Sequence, residues 1–249
     1  PLLADPADSV KLSKNSDGTI DEVVQPQTAA VVIDYRTGHI VAMVGSRDEP
    51  TRKKLLNRAY QSNMPIGSSI KPVAVYAEAL ESGASPNSVL LNFASAIEGY
   101  GGRGYPGGGL STQGPVTLRT GVVKSLNVVA ARTLFEYVGT QKSKETLVEL
   151  GIDPSHINAD GPGLALGTSG ISMLELTAAY SALANDGTYL EPVAFTKVED
   201  AQGNVILDSG ELRSTRQVFK PATSYMITSI LEDAVKSGTG WRAKIKGMN

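Results

Sequence analysis

The chain has 249 residues, 41% of them hydrophobic, enough to bury the core of one large domain or two small ones. Its 23 basic and 25 acidic residues give a formal net charge of −2 with no basic tract, so nucleic acid is excluded as a predicted partner. The absence of cysteine excludes a disulfide framework, thiolate metal sites and cysteine nucleophiles. No stretch approaches the ~18 apolar residues that a membrane span requires.

The two histidines, His39 and His156, have neither the spacing of metal ligands nor an evident serine partner. We interpret both as surface or structural residues. A Ser-His-Asp mechanism is therefore not favoured by the sequence. No metal or other cofactor is predicted.

Residues 1–28 are polar and lack periodicity, so we interpret them as an N-terminal arm or the remnant of a linker domain. Two apolar, β-branched runs follow, 29–35 and 39–45, about a short connection that contains Gly38. They predict a β-hairpin. Because both runs are almost continuously apolar, we expect helices to cover both faces of their sheet.

Helical spacing of apolar residues predicts a helix over 68–81, which Gly83 ends. Further helices are predicted over 117–125, 128–138, 142–150, 173–185 and 222–236, and strands over 189–198 and 204–207. The glycine-rich stretch 99–114 is predicted to be a functional or mobile loop at the rim of a cleft. Strands, then helices, then strands indicate an α+β fold.

Residues 64–72 read MPIGSSIKP and carry the sharpest chemical signal. Ser68 and Lys71 are three residues apart on a predicted helix, so their hydroxyl and amine would share a face within reach of one hydrogen bond. Pro72 has no N–H to offer the Ser68 carbonyl, which places Ser68 at the helix N-terminus, where free N–H groups stabilise an oxyanion. That positive field and burial would lower the pKa of Lys71 and make it a base. The alternative is a capping serine beside a solvated lysine.

Ser125 and Asn127 form a second pattern between two predicted helices. In a tight interhelical turn both side chains could point into one cleft, Ser125 passing a proton and Asn127 gripping an amide. The alternative is an ordinary helix end with polar capping. The two patterns together, in this order, are far less expected by chance than either alone.

From the hairpin to its last residue the chain resembles the serine transpeptidases called penicillin-binding proteins, relatives of the serine β-lactamases. It is most similar to the transpeptidase half of the bifunctional class A enzymes. The segments that carry the resemblance are DYRTG at 34–38, AMVG at 42–45, NRA at 57–59, GSSIKP at 67–72, GPVTLR at 114–119, SLN at 125–127, LALG at 164–167 and AAYSALANDG at 178–187.

The resemblance implies a central antiparallel sheet flanked by helices and a peptidoglycan D,D-transpeptidase activity. Ser68 would be acylated by a stem peptide ending in D-Ala-D-Ala, carried by lipid II or nascent glycan strands, and also by β-lactam antibiotics. Lys71 would take the serine proton, Ser125 would relay a proton to the leaving group, and Asn127 would bind the peptide amide. The oxyanion hole would include the Ser68 backbone N–H.

The family's third motif, Lys-Thr-Gly on a core strand, is expected just beyond Asn249. Lys236, Ser237 and Gly238 mimic it, but they follow directly from a predicted helix without a strand, and we interpret them as a coincidental match. Residues 29–249 would then form a transpeptidase domain that lacks its C-terminal strands, and a companion segment would carry the missing motif. The resemblance also implies the extracytoplasmic face of a bacterial membrane, with an N-terminal anchor outside this chain.

Three alternatives remain open at the level of sequence. A D,D-carboxypeptidase would transfer the acyl group to water. A serine β-lactamase would need a deacylating carboxylate, and no segment resembles the loop that carries it. A non-catalytic β-lactam sensor or cell-wall scaffold would keep the fold without turnover.

Overall fold

The computed structural model describes residues 10–14, 18, 20–24, 26–47, 53–93, 95–96, 104–105, 114–158, 160–245 and 247. Half of the predicted arm over 1–28 and most of the glycine-rich stretch 99–114 lie outside these residues. Within the described residues, no helix is both long and apolar enough to cross a membrane.

The strands pair two by two in antiparallel ladders: β1 with β2, β3 with β4, β5 with β10, β6 with β9, β7 with β8, β11 with β14 and β12 with β13. Their bounds are β1 (Val10–Lys14), β2 (Ile20–Val24), β3 (Ala30–Ile33), β4 (Ile40–Val44), β5 (Met64–Pro65), β6 (Val89–Leu91), β7 (Ser95–Ala96), β8 (Gly104–Tyr105), β9 (Pro115–Thr117), β10 (Gly170–Ile171), β11 (Thr188–Leu190), β12 (Lys197–Glu199), β13 (Val205–Asp208) and β14 (Thr215–Gln217).

The helices are α1 (Arg58–Gln61), α2 (Ala77–Glu81), α3 (Leu118–Val123), α4 (Asn127–Thr133), α5 (Thr140–Glu149), α6 (Pro162–Leu166), α7 (Met173–Ala184), α8 (Ser209–Leu212) and α9 (Pro221–Ser237). Two π-helical turns, Pro72–Tyr76 and Leu134–Val138, adjoin α2 and α4. The predicted helices are present, and the α+β class is confirmed.

The hairpin β3–β4 forms as predicted, about a turn in which the Asp34 carbonyl accepts the amides of Thr37 and Gly38. Helix α7 packs on β3. The expectation that both faces are covered is wrong for the described residues, since Val32 is 53% and Val41 66% exposed.

The predicted strand over 189–198 is wrong as one continuous element. It is divided into β11 and β12, which pair with different partners. Pro192 lies between them and has no N–H to contribute to a ladder, which explains the interruption.

A helical run from Gly67 to Glu81 passes through the centre of the molecule, and every residue from Ile70 to Leu80 is buried. The core around it includes Leu118, Val129, Leu134, Leu147, Leu164, Phe219, Ile227 and Ile230. Helix α5 supplies hydroxyls to this run: Ser143 Oγ donates to the Ala74 carbonyl at 2.6 Å, and Thr146 Oγ1 donates to the buried Glu78 carboxylate at 2.8 Å. These bonds satisfy polar groups that burial would otherwise leave unpaired.

The entrance of the run is fixed against Gly167, the residue that ends α6. The Gly67 amide donates to the Gly167 carbonyl at 3.1 Å, and a Cβ on Gly167 would lie 2.0 Å from the Gly67 oxygen. Gly167 also has a φ of 80°. Glycine is therefore required here both for its conformation and for the space.

Replacing Gly167 with Ala should destabilise the fold more than the same change at Gly83. Gly83 has a φ of 98° but nothing within 4 Å of its missing Cβ, so Gly83→Ala adds only the strain of a left-handed residue, about 1–2 kcal/mol. Gly167→Ala adds overpacking to that strain, for a total of about 2–5 kcal/mol. Urea unfolding measures both, and equal losses would show that the contact with Gly67 is not tight.

Candidate active site

Ser68 lies in a 3₁₀ turn, Gly67–Ile70, at the start of the buried helical run, and it is exposed. The Ser68 carbonyl accepts the amide of Lys71, because Pro72 has no N–H to give it. The predicted placement of Ser68 at a helix entrance is therefore confirmed. An acyl group can reach its hydroxyl from solvent.

Lys71 follows this turn and is only 2% exposed. Its amine donates to the Ser125 carbonyl at 2.9 Å and to Asn127 Oδ1 at 2.6 Å, and it lies 3.2 Å from Ser125 Oγ. The structure thus brings Lys71, Ser125 and Asn127 together, one helical turn from Ser68.

Burial lowers the pKa of Lys71 from 10.5 to about 8. Removing an ammonium from water disfavours its charge, as the sequence predicts. A substantial neutral fraction is therefore present near physiological pH, and only the neutral amine can accept a proton.

The three partners of the Lys71 amine suit both of its protonation states. An ammonium donates one N–H to each of them. A neutral amine has two N–H groups, and these can donate to the Ser125 carbonyl oxygen and to Asn127 Oδ1, which can only accept. The lone pair then remains for a proton, and the Ser125 hydroxyl can either donate or accept.

A hydrogen bond between the Ser68 hydroxyl and the Lys71 amine is also predicted, and it is not present among the described residues. The amine is instead bound to the turn between α3 and α4. The physical reason is the burial of Lys71: its N–H groups need acceptors, which Ser125 and Asn127 supply, whereas the exposed Ser68 hydroxyl can be hydrated.

The turn between α3 and α4 presents Ser125 and Asn127 to the lysine. Ser125 has a φ of 51°, a left-handed conformation that is unusual outside glycine, and Asn127 is the first residue of α4. The turn is closed by the Ser125 amide on the Val122 carbonyl and the Leu126 amide on the Gly121 carbonyl. The prediction that both side chains point into one site is confirmed.

Tyr180 is a site residue that sequence reasoning did not identify. Its hydroxyl, on α7, donates to the Ser69 carbonyl at 2.7 Å, and burial raises its pKa. The carbonyl lies where the run changes from a 3₁₀ turn to a π turn, so Tyr180 supports an irregular point of the helix. Tyr180 lies in the segment 178–187 that carries the family resemblance, but its partner Ser69 is more than a hundred residues away, so the sequence does not reveal the contact.

Helix α7 is held at its N-terminal end by Glu175. Its carboxylate accepts from the Ser172 amide at 2.9 Å and the Ser172 hydroxyl at 2.7 Å, and it lies 2.8 Å from His156 Nδ1. His156 Nε2 lies 2.7 Å from the Asn63 amide, just before β5. His156 is thus part of a polar network that supports the elements around Ser68.

Lys236 and Ser237 form the last turn of α9 and do not lie on a strand. The Lys236 amine is exposed and lies 3.2 Å from Glu232, one turn earlier in the same helix. This supports the interpretation of the Lys-Ser-Gly sequence as a coincidental match. Among the described residues, no cluster of His, Asp and Glu could hold a metal ion.

Residues 28–249 match the family model of the penicillin-binding protein transpeptidase domain. Penicillin-binding protein 1A of Clostridium acetobutylicum is 34% identical over 244 residues, which cover 91% of this chain and 29% of that protein. Penicillin-binding protein 1F of Bacillus subtilis is 35% identical over 214 residues, which cover 85% of this chain and 28% of that protein. The chain therefore spans less than a third of these relatives.

Two solved structures are similar in fold. Penicillin-binding protein 1A of Haemophilus influenzae superimposes with a TM-score of 0.73 at 25% identity, covering 94% of this chain and 41% of that one. Penicillin-binding protein A of M. tuberculosis, in an imipenem acyl-enzyme complex, gives a TM-score of 0.71 at 19% identity, covering 90% and 60%. The resemblance found in the sequence is confirmed, and the chain belongs to the family of penicillin-binding protein transpeptidase domains.

Proposed function

We propose that this chain is a serine-type D,D-transpeptidase domain that cross-links peptidoglycan stem peptides ending in D-Ala-D-Ala, and that β-lactams acylate the same serine. The observation that carries the proposal is the buried Lys71 amine, with its lowered pKa, on the helical turn that exposes Ser68. Membership of the family supports it.

In the acylation step, Lys71 accepts the Ser68 proton while Ser68 Oγ bonds to the carbonyl carbon of the penultimate D-alanine. The peptide bond to the terminal D-alanine breaks, and its nitrogen takes a proton from Lys71 through the Ser125 hydroxyl, 3.2 Å from the amine. An amine from a neighbouring stem then attacks the acyl-enzyme, forming the cross-link and restoring Ser68. The Ser68 backbone N–H contributes to the oxyanion hole.

In this scheme Asn127 binds both the Lys71 amine and the substrate. Its Oδ1 accepts from the Lys71 amine at 2.6 Å, so its Nδ2 group remains to donate to a carbonyl of the stem peptide or of a β-lactam side chain. Substrate binding and the orientation of the base are thereby linked through one side chain.

The partners follow from the same proposal. Stem peptides arrive on lipid II or nascent glycan strands at the extracytoplasmic face of the membrane. A companion segment carries the Lys-Thr-Gly strand, whose lysine meets the substrate carboxylate and whose backbone supplies a second oxyanion donor.

Incubation of the natural full-length protein with a fluorescent penicillin should place one stable label on Ser68. Mass mapping of the labelled peptide identifies the residue. Ser68→Ala should abolish labelling, whereas the neighbouring Ser69→Ala, which removes only a hydroxyl bound to the Ile66 carbonyl, should retain it.

The same labelling separates the alternatives. A label that persists for hours supports a transpeptidase, and rapid loss would indicate a β-lactamase. Cleavage of a stem peptide to free D-alanine without cross-linking when an acceptor amine is present would indicate a D,D-carboxypeptidase. An unlabelled protein would indicate a sensor or scaffold and would overturn the proposal.

Acylation should depend on pH through Lys71. Because the neutral amine is the base and burial sets its pKa at about 8, the acylation rate constant should rise about tenfold per pH unit below that value and level off above it. Stopped-flow labelling between pH 6 and 10, at constant ionic strength, measures the profile. A rate that is flat from pH 6 to 8 would argue against a base with this pKa.

Replacing Lys71 should slow acylation by about 10²–10⁴-fold, the contribution of a general base. Lys71→Arg should be as slow as Lys71→Ala, because a guanidinium keeps the charge and cannot be deprotonated. Lys236→Ala is the matched control and should keep the normal rate, since that exposed lysine ends a helix. Normal acylation by Lys71→Arg would remove the lysine from the proton transfer.

A further inference from the structure

The last carbonyl of α3 is bound by a segment distant in sequence. Carbonyls in the final turn of a helix have no partner within the helix. Val123 is the last residue of α3, and its carbonyl accepts the Thr239 amide at 3.2 Å. The segment that follows α9 therefore completes the end of α3, two residues before Ser125.

Gly238, in this segment, lies too close to Val123 to carry a side chain. A Cβ on Gly238 would lie 2.3 Å from the Val123 oxygen and 2.8 Å from both Val123 Cγ1 and the Ala234 Cα. Its φ of −107° is accessible to any residue. Glycine is thus needed for space against Val123, and not for its backbone conformation.

Helix α9 is fixed to the elements that carry the site at both of its ends. Near its C-terminus, Asp233 pairs with Arg119 of α3 at 2.5 Å. Before its N-terminus, Lys220 pairs with Glu81 of α2 at 2.9 Å. Because α9 cannot move freely, a displacement at Gly238 would be transmitted to the end of α3.

We propose that Gly238 and the backbone N–H of Thr239 position the turn that brings Ser125 and Asn127 to Lys71. Ser125 holds a left-handed conformation that persists only where its surroundings enforce it. Gly238 and Thr239 contact Val123, two residues before Ser125, and thereby help to hold Ser125 in this conformation. The inference rests on the proposed function, since its consequence is the rate at which Ser68 is acylated.

Gly238→Ala in the natural full-length protein should reduce the rate constant for labelling by a fluorescent penicillin by about tenfold to a hundredfold, the effect of misplacing a reacting group by about an ångström. The matched control is Gly240→Ala in the same segment. Its new Cβ would lie 3.3 Å from the Ala234 carbonyl oxygen, so we expect a rate within twofold of the wild type.

Thr239 provides a second pair of variants that leaves Gly238 unchanged. Thr239→Pro removes the N–H that the Val123 carbonyl accepts and puts a ring carbon in its place, so it should also slow acylation. Thr239→Ala keeps that N–H and changes only an exposed side chain, so it should label at the normal rate. This pair decides the question if Gly238→Ala does not fold.

The labelled fraction at completion distinguishes positioning from folding. Slow labelling that still reaches the full wild-type fraction supports the proposal. A reduced fraction that labels at the wild-type rate indicates a merely structural role and would overturn it, as would normal rates in both Gly238→Ala and Thr239→Pro. An unlabelled wild-type protein would instead overturn the proposed function, and this inference with it.

Discussion

The organisation of the site depends on one buried amine. Lys71 is enclosed by the core, where its charge is disfavoured and where any N–H without an acceptor would be costly. Its acceptors come from the turn between α3 and α4, so that turn must bring the Ser125 carbonyl and the Asn127 side chain to the lysine. Ser125 adopts its left-handed conformation in this turn. The buried amine is thus paired by a segment more than fifty residues away.

Pro72 determines how the serine is presented. Because it lacks an N–H, the Ser68 carbonyl is bound by Lys71 in a 3₁₀ turn, and the helix continues as a π turn before α2 begins. Such irregular turns are frequent at functional sites. At this irregular point the Ser69 carbonyl accepts the Tyr180 hydroxyl, and the close contact of Gly67 with Gly167 fixes the entrance. Ser68 is therefore exposed between two fixed residues, Gly67, which is bound to Gly167, and Ser69, which is bound to Tyr180.

Much of this arrangement could be predicted because it is local. The hairpin β3–β4, the helix that begins near Ser68, and the turn with Ser125 and Asn127 follow from spacing, turn residues and proline chemistry. What could not be predicted depends on residues distant in the chain. No pattern within 178–187 shows that Tyr180 binds the Ser69 carbonyl, and none around Lys71 shows that its amine binds Asn127 rather than Ser68.

The end of α9 shows that a short sequence can match a motif without having the structure that the motif requires. Lys236, Ser237 and Gly238 match a catalytic motif as a string, yet the first two lie in a helix and the lysine pairs with Glu232. Gly238 has an ordinary φ, so no rule about turns explains a glycine there; the close approach of Val123 and Ala234 does. Where a glycine has an ordinary φ, a neighbouring atom that leaves no room for a Cβ can explain why glycine is needed. Here that neighbour is Val123, two residues before Ser125, which connects the end of α9 to the turn that binds the lysine.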